Sequence, residues 1–366
     1  MSKLMIHYFR IQGGFRLELI PKKLLFFLIR SRNRVFIPFV IVYVLFCSYL
    51  AFEIEPSTFG TYFNAMWWVM TTLTTVGYGD YSPITTLGRT FAMFLYITGI
   101  GIFGVVIGKV INSITVMKRW REEGKMNFTG KDHLIIVGWS AKSELAIREI
   151  LTSEPHVEIV LIADLRKTPI LEERVHYVRG RATEEQTLLS ANILKSKGVI
   201  IFASYIQNDV HISDPILLDG KTLLVATAIN ALEEKYKARI HVTVEVINQD
   251  HINMFKHVRI EEFIPSYEMV SHAAVRSLFT HGVTDIYAEL MSRTYGENLY
   301  EIEKRPHWNT YREAFFELLD EGATLISDGS DLYINQKLSD PIPPKAKLFV
   351  ICDRETYDKI KAAPHS

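Results

Sequence analysis

The chain has 366 residues, of which 48% are hydrophobic, and its 41 lysines and arginines balance its 41 aspartates and glutamates. This length allows two or three domains, and a net charge of zero gives no reason to expect a nucleic-acid partner. The two cysteines, Cys47 and Cys352, lie far apart and the first falls within an apolar run, which excludes a disulfide between them.

The first 33 residues mix apolar and basic side chains. Apolar residues at 24–29 lie beside Lys22, Lys23 and Arg30. A helix that lies on the inner membrane surface has this composition. We therefore predict a cytoplasmic N-terminal segment over residues 1–33, with an interfacial helix in contact with membrane lipid.

Two long uncharged runs predict a membrane domain over residues 34–112. Residues 35–52 and 91–108 contain no charged side chain, and each run reaches the lower limit of length for a helix that crosses a bilayer. We expect no later segment to be as long and as apolar. Because 34 residues precede the first run, a cleaved signal peptide is not expected.

Charges around the two runs predict their orientation. Basic residues precede the first run and follow the second. They are Lys22, Lys23, Arg30, Arg32 and Arg34 before the first run, and Lys109, Lys118, Arg119 and Arg121 after the second. The segment between the runs carries Glu53, Glu55 and Asp80, with Arg89 near its end. Because cytoplasmic flanks are rich in lysine and arginine, we predict a multi-pass protein of the cell membrane with both termini in the cytoplasm.

The segment between the spans is too long for a simple turn and predicts a structure of its own. Residues 61–73 form a mostly apolar stretch without proline or glycine, which predicts a helix containing Trp67 and Trp68. Gly77 and Gly79 then allow positive φ at every second position, so that successive carbonyls face one side. Such irregular backbone is tolerated at membrane depth where it is buried in protein or lines a water-filled path.

Residues 72–80, with the sequence Thr-Leu-Thr-Thr-Val-Gly-Tyr-Gly-Asp, resemble the signature of the potassium channel superfamily. The resemblance implies a homotetramer whose filter replaces the water shell of potassium ions with oxygen atoms. It implies that the filter residues are Thr75, Val76, Gly77, Tyr78 and Gly79. Potassium would bind the carbonyls of the first four and the Thr75 hydroxyl, while Trp67, Trp68 and Asp80 would support the filter.

The second span is rich in glycine, with Gly99, Gly104 and Gly108 among its residues. The resemblance to two-helix potassium channels implies that Gly99 is a gating hinge and that the other two widen the inner pore. The alternative is close packing, because small residues let membrane helices approach each other. The sequence leaves both explanations open.

The rest of the chain predicts a different architecture. Residues 113–131 predict a polar linker, and after them short apolar runs at 133–137, 157–163, 175–178, 198–203 and 240–246 alternate with helical patterns. Continuous apolar strands alternating with helices indicate a parallel sheet covered on both faces. The fold class is therefore multidomain: an all-α membrane pore domain with a re-entrant pore helix, an α/β Rossmann-like lobe over 132–282, and a small α+β lobe over 283–366.

The first turn of the Rossmann-like lobe, residues 138–143, has one glycine where a full dinucleotide-binding pattern has three. Asp164, after the second predicted strand, is either a ribose-binding acid or a turn residue before Thr168-Pro169. Gly138, Trp139 and Ser140 resemble the first turn of the RCK domain, the regulator of potassium conductance.

The resemblance to RCK channels implies that eight such domains form a ring and that a ligand on the ring opens the pore. We predict that the ligand binds the cleft at the C-terminal ends of the strands, around Gly138, Ser140, Asp164 and Glu245. Of the carboxylate cluster of calcium-sensing members only Glu245 remains, since Ala203 and Ile247 stand at two acidic positions, although Asp209, Asp214 and Asp219 could compensate. The ligand therefore stays open between calcium or another divalent cation and a nucleotide.

The leading hypothesis is a ligand-gated, potassium-selective channel rather than an enzyme. The competing hypotheses are a membrane-anchored NAD-dependent oxidoreductase and a non-conducting regulatory subunit of a potassium transporter. Both leave the signature at residues 72–80 unexplained, and the first also needs a proton donor that the sequence does not reveal. Whether Met126 starts a separately made soluble domain is open.

Overall fold

The computed structural model describes residues 33–203, 206–207, 210–211, 214–294 and 296–362. The chain divides into two compact units, Met1–Arg119 and Trp120–Ser366. The interfacial helix predicted before residue 33 lies outside the described residues.

The described part of the first unit is helical. Its helices are α1 (Asn33–Ile54), α2 (Pro56–Phe59), α3 (Tyr62–Leu73) and α4 (Thr86–Glu122), the last of which continues into the second unit. By length and composition, Val35–Ile54 and α4 can cross a membrane, with mean hydropathies of 2.4 and 2.2. The two predicted spans are therefore confirmed as helices.

Helix α3 is the helix predicted between the spans, and it packs against α1. Thr61 caps its first turn, since its hydroxyl accepts a hydrogen bond from the Asn64 N–H. Trp68 and Val69 are buried in a cluster with Cys47 of α1 and Leu95 of α4. This packing fixes where α3 ends, and so where the glycine-containing segment begins.

The second unit contains a six-stranded parallel sheet. Its strands are β1 (Leu134–Val137), β2 (Ile159–Ala163), β3 (Val175–Arg179), β4 (Gly198–Ile201), β7 (Val242–Val246) and β8 (Glu262–Pro265), while β5 (Ile206–Gln207) and β6 (Val210–His211) form a short hairpin. The order in the large sheet is β3-β2-β1-β4-β7-β8, and every neighbouring pair is parallel. The predicted doubly covered parallel sheet is confirmed.

Alternate residues of the strands belong to two separate cores. Ile135 and Val160 lie in one core, and Ile136 and Leu161 lie in the other. Since successive side chains alternate across a strand, the two cores lie on opposite faces. The helices of this lobe are α5 (Ala141–Ser153), α6 (Glu185–Ser190), α7 (Pro215–Tyr236) and α8 (Ser266–Phe279).

Helix α7 is long and partly apolar, although its mean hydropathy is lower than that of the two spans. Its length and its mean hydropathy of 1.3 are sufficient for a membrane span. However, Val225, Ile229 and Leu232 are buried in the same core as β7 residues. The helix is apolar because it packs on the sheet, which a count of apolar residues along the sequence does not show.

The last part of the chain forms a smaller lobe with helices α9 (Val283–Met291), α10 (Tyr311–Asp320) and α11 (Arg354–Ala362) and strands β9 (Asn298–Ile302), β10 (Thr324–Asp328) and β11 (Leu348–Cys352). The three strands form an antiparallel sheet in the order β10-β11-β9. A 3-10 turn, Ile334–Gln336, lies between β10 and β11. Strand β9 was not expected, since its polar residues hide the apolar alternation.

Candidate pore segment and regulatory cleft

The segment predicted as a filter leaves α3 through a tight turn. The Thr74 N–H still donates to the Met70 carbonyl as the last bond of the helix. The N–H groups of Val76 and Gly77 then both donate to the Thr71 carbonyl, at 2.9 and 3.1 Å. The first residues of the segment are thus held at the C-terminal end of α3.

Backbone dihedrals in this segment alternate in hand. Thr75, Gly77 and Gly79 have φ values of 61°, 55° and 77°. Glycine adopts positive φ without steric cost, whereas for Thr75 this conformation is strained by about 1–3 kcal/mol. A positive φ at every second residue is the arrangement expected for a strand whose successive carbonyls face one side.

Two of the predicted supporting residues contact each other. The Trp67 Nε1–H donates to Asp80 Oδ2 at 2.8 Å, and the Trp67 ring stacks on Tyr78 with centroids 5.8 Å apart. Trp68 instead lies against Phe59, with ring centroids 5.3 Å apart. Within one copy of the chain, Trp67 and Asp80 brace the segment, and a contact of Trp68 with the filter stays a prediction.

Glu55 is a functional candidate that the sequence did not single out. Its side chain is 2% exposed and accepts hydrogen bonds from the backbone N–H groups of Ile84 and Thr85 and from the hydroxyls of Thr58 and Thr85. A Cβ atom at Gly88 would lie 2.1 Å from Glu55 Oε1. The carboxylate therefore caps the start of α4, where a negative charge is favourable, and Gly88 makes room for it.

Hydrogen bonding decides the charge state of Glu55. Burial raises the pKa of this carboxyl, but the hydrogen bonds from Thr85, Ile84 and Thr58 outweigh burial and lower the pKa to about 2. The carboxylate is therefore ionised at neutral pH. The sequence signal that could have revealed it is an acid directly after an apolar span, facing the Pro83 turn before the next helix.

The glycines of α4 differ in their surroundings. A Cβ atom at Gly99 would lie 2.5 Å from the Leu73 side chain, whereas at Gly104 and Gly108 it would meet nothing within 4 Å. Gly99 therefore permits close approach of α4 to the end of α3, as the packing explanation holds. Because α4 is one continuous helix, the hinge at Gly99 and the inner-pore roles of Gly104 and Gly108 stay predictions.

A cavity of about 370 Å³ lies at the carboxyl ends of β1, β2 and β4. It sits beside β1 and β4, where the strand order reverses, which is the usual ligand position in such sheets. Its lining includes Gly138, Trp139, Asp164, Arg181, Phe202 and Lys221. The structure thus brings Gly138 and Asp164 together at one cleft, which we call the regulatory cleft.

Ser140 has a structural task next to the regulatory cleft. Its hydroxyl accepts a hydrogen bond from the Ser143 N–H, and the Ser143 hydroxyl in turn accepts one from the Ser140 N–H. This capping box satisfies backbone groups at the start of α5. The serines that replace glycines of the dinucleotide-binding pattern therefore stabilise the helix.

Glu245 does not reach the regulatory cleft. It is 2% exposed and accepts hydrogen bonds from the Ala203 N–H at 2.9 Å, from the Ser266 hydroxyl and from the Lys142 ammonium, with which it forms an ion pair. The carboxylate ties the ends of β4 and β7 to the first turns of α5 and α8. Its charge is thus already compensated by a side chain of the protein.

The aspartates proposed to compensate for the missing cluster are placed apart. Asp214 instead caps α7, since its side chain accepts a hydrogen bond from the Ile216 N–H. Asp219 lies in α7 rather than in a loop, is fully buried, and accepts hydrogen bonds from the Ile247 N–H and from His251. Asp209 lies outside the described residues. Within the ranges that the structure describes, no group of three or more acidic, histidine or cysteine side chains could hold a metal ion.

Comparison with known proteins agrees with this arrangement. The family described as "Ion channel" matches residues 36–116. The calcium-gated potassium channel TvoK of Thermoplasma volcanium is 31% identical over 74% of this chain and 76% of its own length. The putative potassium channel protein YugO of Bacillus subtilis is 27% identical over 65% of this chain and 69% of its own length.

The solved structure titled "GsuK channel bound to NAD" is 13% identical, with a TM-score of 0.42, over 88% of this chain and 57% of that chain. The helical unit, the pore segment and the relatives define a membrane ion channel. More particularly, the chain belongs to the potassium channels, and its membrane pore region is followed by a Rossmann-like domain.

Proposed function

We propose that four copies of this chain form a potassium-selective pore in the cell membrane, and that a ligand on the cytoplasmic RCK domains sets its opening. The observation that carries the proposal is the positive φ at Thr75, Gly77 and Gly79, with Trp67 and Asp80 bracing the segment. A single strand of this kind cannot surround an ion. Four copies can, with carbonyls from Thr75 to Tyr78 replacing its water shell.

Exposure of the filter side chains supports assembly. Val76 and Tyr78 are 55% and 68% exposed in one copy of the chain. Apolar side chains at membrane depth need cover, and neighbouring copies around a central axis would supply it. Basic residues precede the first span and follow the second, which fits a multi-pass topology with both termini in the cytoplasm.

The regulatory cleft is the proposed ligand site. Gly138 lets backbone approach a ligand, Asp164 can accept hydrogen bonds from a ribose, and Arg181 and Lys221 can pair with phosphates. These groups favour a nucleotide. Calcium is the second candidate, because the relative TvoK is named as calcium-gated.

The proposed ligand must favour the open state by a definite amount. Moving a two-state equilibrium from 1:99 to 99:1 needs a difference in binding free energy of about 5.5 kcal/mol. An octameric ring of RCK domains would share this requirement among its sites. The competing oxidoreductase and regulatory-subunit hypotheses have no observation in their favour, since the relatives carry potassium channel names.

Flux through liposomes tests the proposal. The purified full-length protein should pass potassium much faster than sodium, and barium should block the flux. Gly77→Ala should abolish it, because alanine is strained at a φ of 55°. Gly329→Ala is the matched control, since Gly329 in the last lobe has the same φ of 55° and equal room for a Cβ atom.

The proposal is wrong if sodium passes as fast as potassium, or if Gly77→Ala conducts like Gly329→Ala. The regulatory part is tested by adding ADP, NAD or calcium to the cytoplasmic side. An unchanged flux with all three would count against ligand binding in the regulatory cleft.

A further inference from the structure

The residues that follow α4 are anchored to the Rossmann-like lobe rather than free. We call residues 123–132 the strap. Hydrogen bonds join it to β3 and to the turn after α6: Gly124 O accepts from the Arg179 N–H, Phe128 N–H donates to Ser190 O, Gly130 O accepts from Asn192 Nδ2, and Asp132 N–H donates to Lys195 O. Their lengths lie between 2.6 and 3.0 Å. Of the linker predicted at 113–131, residues 113–122 therefore belong to α4, and the rest is attached to the lobe.

The end of α4 is anchored in the same way. The last residue of the helix, Glu122, accepts a hydrogen bond from the Thr168 N–H at 2.7 Å, and Arg121 donates to Glu173 O at 2.6 Å. Phe128 of the strap lies between the rings of His133 and His176, with centroids 4.5 and 5.3 Å away. A shift of β3 would consequently displace the strap, because these bonds leave it little slack.

Gly124 is the point of closest approach between the strap and β3. A Cβ atom there would lie 2.5 Å from the Arg179 backbone nitrogen and 2.7 Å from the Tyr177 ring. Its φ of 65° also disfavours any other residue. Only glycine allows the strap to lie this near to Tyr177 and Arg179.

The same two residues of β3 contact the rim of the regulatory cleft. The Tyr177 hydroxyl lies 2.8 Å from the Ala163 carbonyl oxygen and accepts a hydrogen bond from the Leu165 N–H at 2.9 Å. Arg179 pairs with Asp164, with Nε and Oδ1 3.5 Å apart. Ala163, Asp164 and Leu165 all line the cleft.

We propose that Tyr177 and Arg179 transmit the state of the regulatory cleft to the strap, and thereby to the end of α4. A ligand that hydrogen-bonds Asp164 competes with Arg179 for its carboxylate, and a ligand that displaces the 163–165 rim moves the partner of the Tyr177 hydroxyl. Because Tyr177 and Arg179 also pack closely against Gly124, either change shifts a residue that holds the strap on β3. This proposal rests on the proposed function for its role in gating, but the physical link can be tested without a ligand or an ion flux.

The test is hydrogen exchange of the full-length protein, read on peptides that cover residues 120–132. Tyr177→Phe removes the hydroxyl at the rim and leaves the ring against Gly124. A hydrogen bond contributes about 0.5–1.5 kcal/mol, so strap amides should exchange about two- to tenfold faster. Asp164→Asn removes an exposed ion pair and should speed their exchange by about twofold.

Tyr311→Phe is the matched control. Tyr311 is also buried, and its hydroxyl donates to Asp328 at 2.5 Å in the last lobe. It should leave strap exchange unchanged. Gly124→Ala should speed strap exchange on its own, and the double variant Gly124→Ala/Tyr177→Phe should exchange less fast than the product of the two single effects, because the two residues form one contact.

The proposal is overturned if Tyr177→Phe speeds exchange at 160–166 but not in the strap, or if Tyr311→Phe speeds strap exchange equally. If Gly124→Ala does not fold, the Tyr177 and Tyr311 variants still decide the question. Failure of potassium flux with an intact response of the strap would refute the proposed function and leave the link standing. Normal potassium flux with no change in strap exchange would refute the link and leave the proposed function standing.

Discussion

The pore segment and the regulatory cleft differ in which part of the chain determines their geometry. At the pore segment the backbone sets it, through positive φ at Thr75, Gly77 and Gly79, and side chains only brace it. Around the cleft the side chains set it, since Tyr177 joins β3 to the end of β2 at the rim, and Glu245, although outside the cleft, joins the ends of β4 and β7 beside it. A short contiguous motif can define the first kind of site, whereas the second depends on the completed fold.

The largest effect that would test this comparison is expected at Glu245. In Glu245→Ala the Lys142 ammonium loses its ion pair with this carboxylate, and the Ala203 N–H loses its hydrogen-bond acceptor inside the lobe. Glu245 is 2% exposed but Lys142 is 35% exposed, so we expect a loss of about 3 kcal/mol, the lower end of the cost of breaking a buried pair. Thermal and denaturant unfolding should show this loss, with Glu185→Ala as control.

The control breaks the exposed Glu185–Lys235 pair, whose atoms are 2.7 Å apart, and should cost at most about 1 kcal/mol. Equal losses of unfolding free energy in both variants would mean that Glu245 stabilises the lobe no more than an exposed ion pair does. The cleft would then depend less on buried side chains than the comparison states.

A smaller effect is expected at Glu55, which shows that the pore unit also depends on one buried carboxylate. Glu55→Gln keeps the size of the side chain but replaces charge-assisted hydrogen bonds to the N–H groups of Ile84 and Thr85. We expect a loss of about 1.5–3 kcal/mol in unfolding free energy. Glu53→Gln, which changes an exposed carboxylate two residues earlier, in the last turn of α1, is the matched control and should change the unfolding free energy by less than about 0.5 kcal/mol.

The pH dependence of Glu55 gives an independent measurement. Its pKa is about 2 in the folded protein and 4.5 for an unperturbed glutamate. A lowered folded pKa stabilises the protein above the unfolded value, and this stabilisation is lost as the pH falls from about 4.5 towards 2. Melting curves of the parent protein should decline more steeply in this window than those of Glu55→Gln. Parallel curves would contradict the low pKa.

The smallest effect is expected at Gly99. Gly99→Ala places a methyl group 2.5 Å from Leu73, and overpacking of this kind costs about 1–3 kcal/mol. Part of it is offset by the higher helix propensity of alanine, about 1 kcal/mol. Gly104→Ala has only the second effect, so it should be neutral or stabilising. Equal melting temperatures for Gly99→Ala and Gly104→Ala would contradict the packing explanation for Gly99 and favour the hinge.

Much of the fold could be predicted because its signals are local. The apolar runs of the spans and the short apolar strands β1 and β2 stand out in the sequence, and the parallel sheet follows from their alternation with helices. Strand β9 could not be predicted, since Asn298, Tyr300 and Glu301 interrupt its apolar residues.

The candidate sites divide in the same way. The spacing of Gly77 and Gly79 alone predicts positive φ at these positions, and both residues have positive φ in the structure. The pairing of Glu245 with Lys142 could not be predicted, because the two residues are 103 positions apart and only the β1–β4–β7 order brings them together. For Glu55, the backbone donors Ile84 and Thr85 lie 29 and 30 residues away, so an acid after an apolar span does not by itself reveal these partners.

The strap has a further consequence for the behaviour of the protein before assembly. Strand β3 is at the edge of the large sheet, and an open edge is a template on which another chain can add a strand. The Gly124 carbonyl oxygen accepts a hydrogen bond from the outward-facing N–H of Arg179, and the Met126 carbonyl oxygen lies 3.0 Å from Nε2 of His176. By lying along this edge, the strap leaves newly made chains less able to aggregate through it, so its attachment protects the lobe during folding as well.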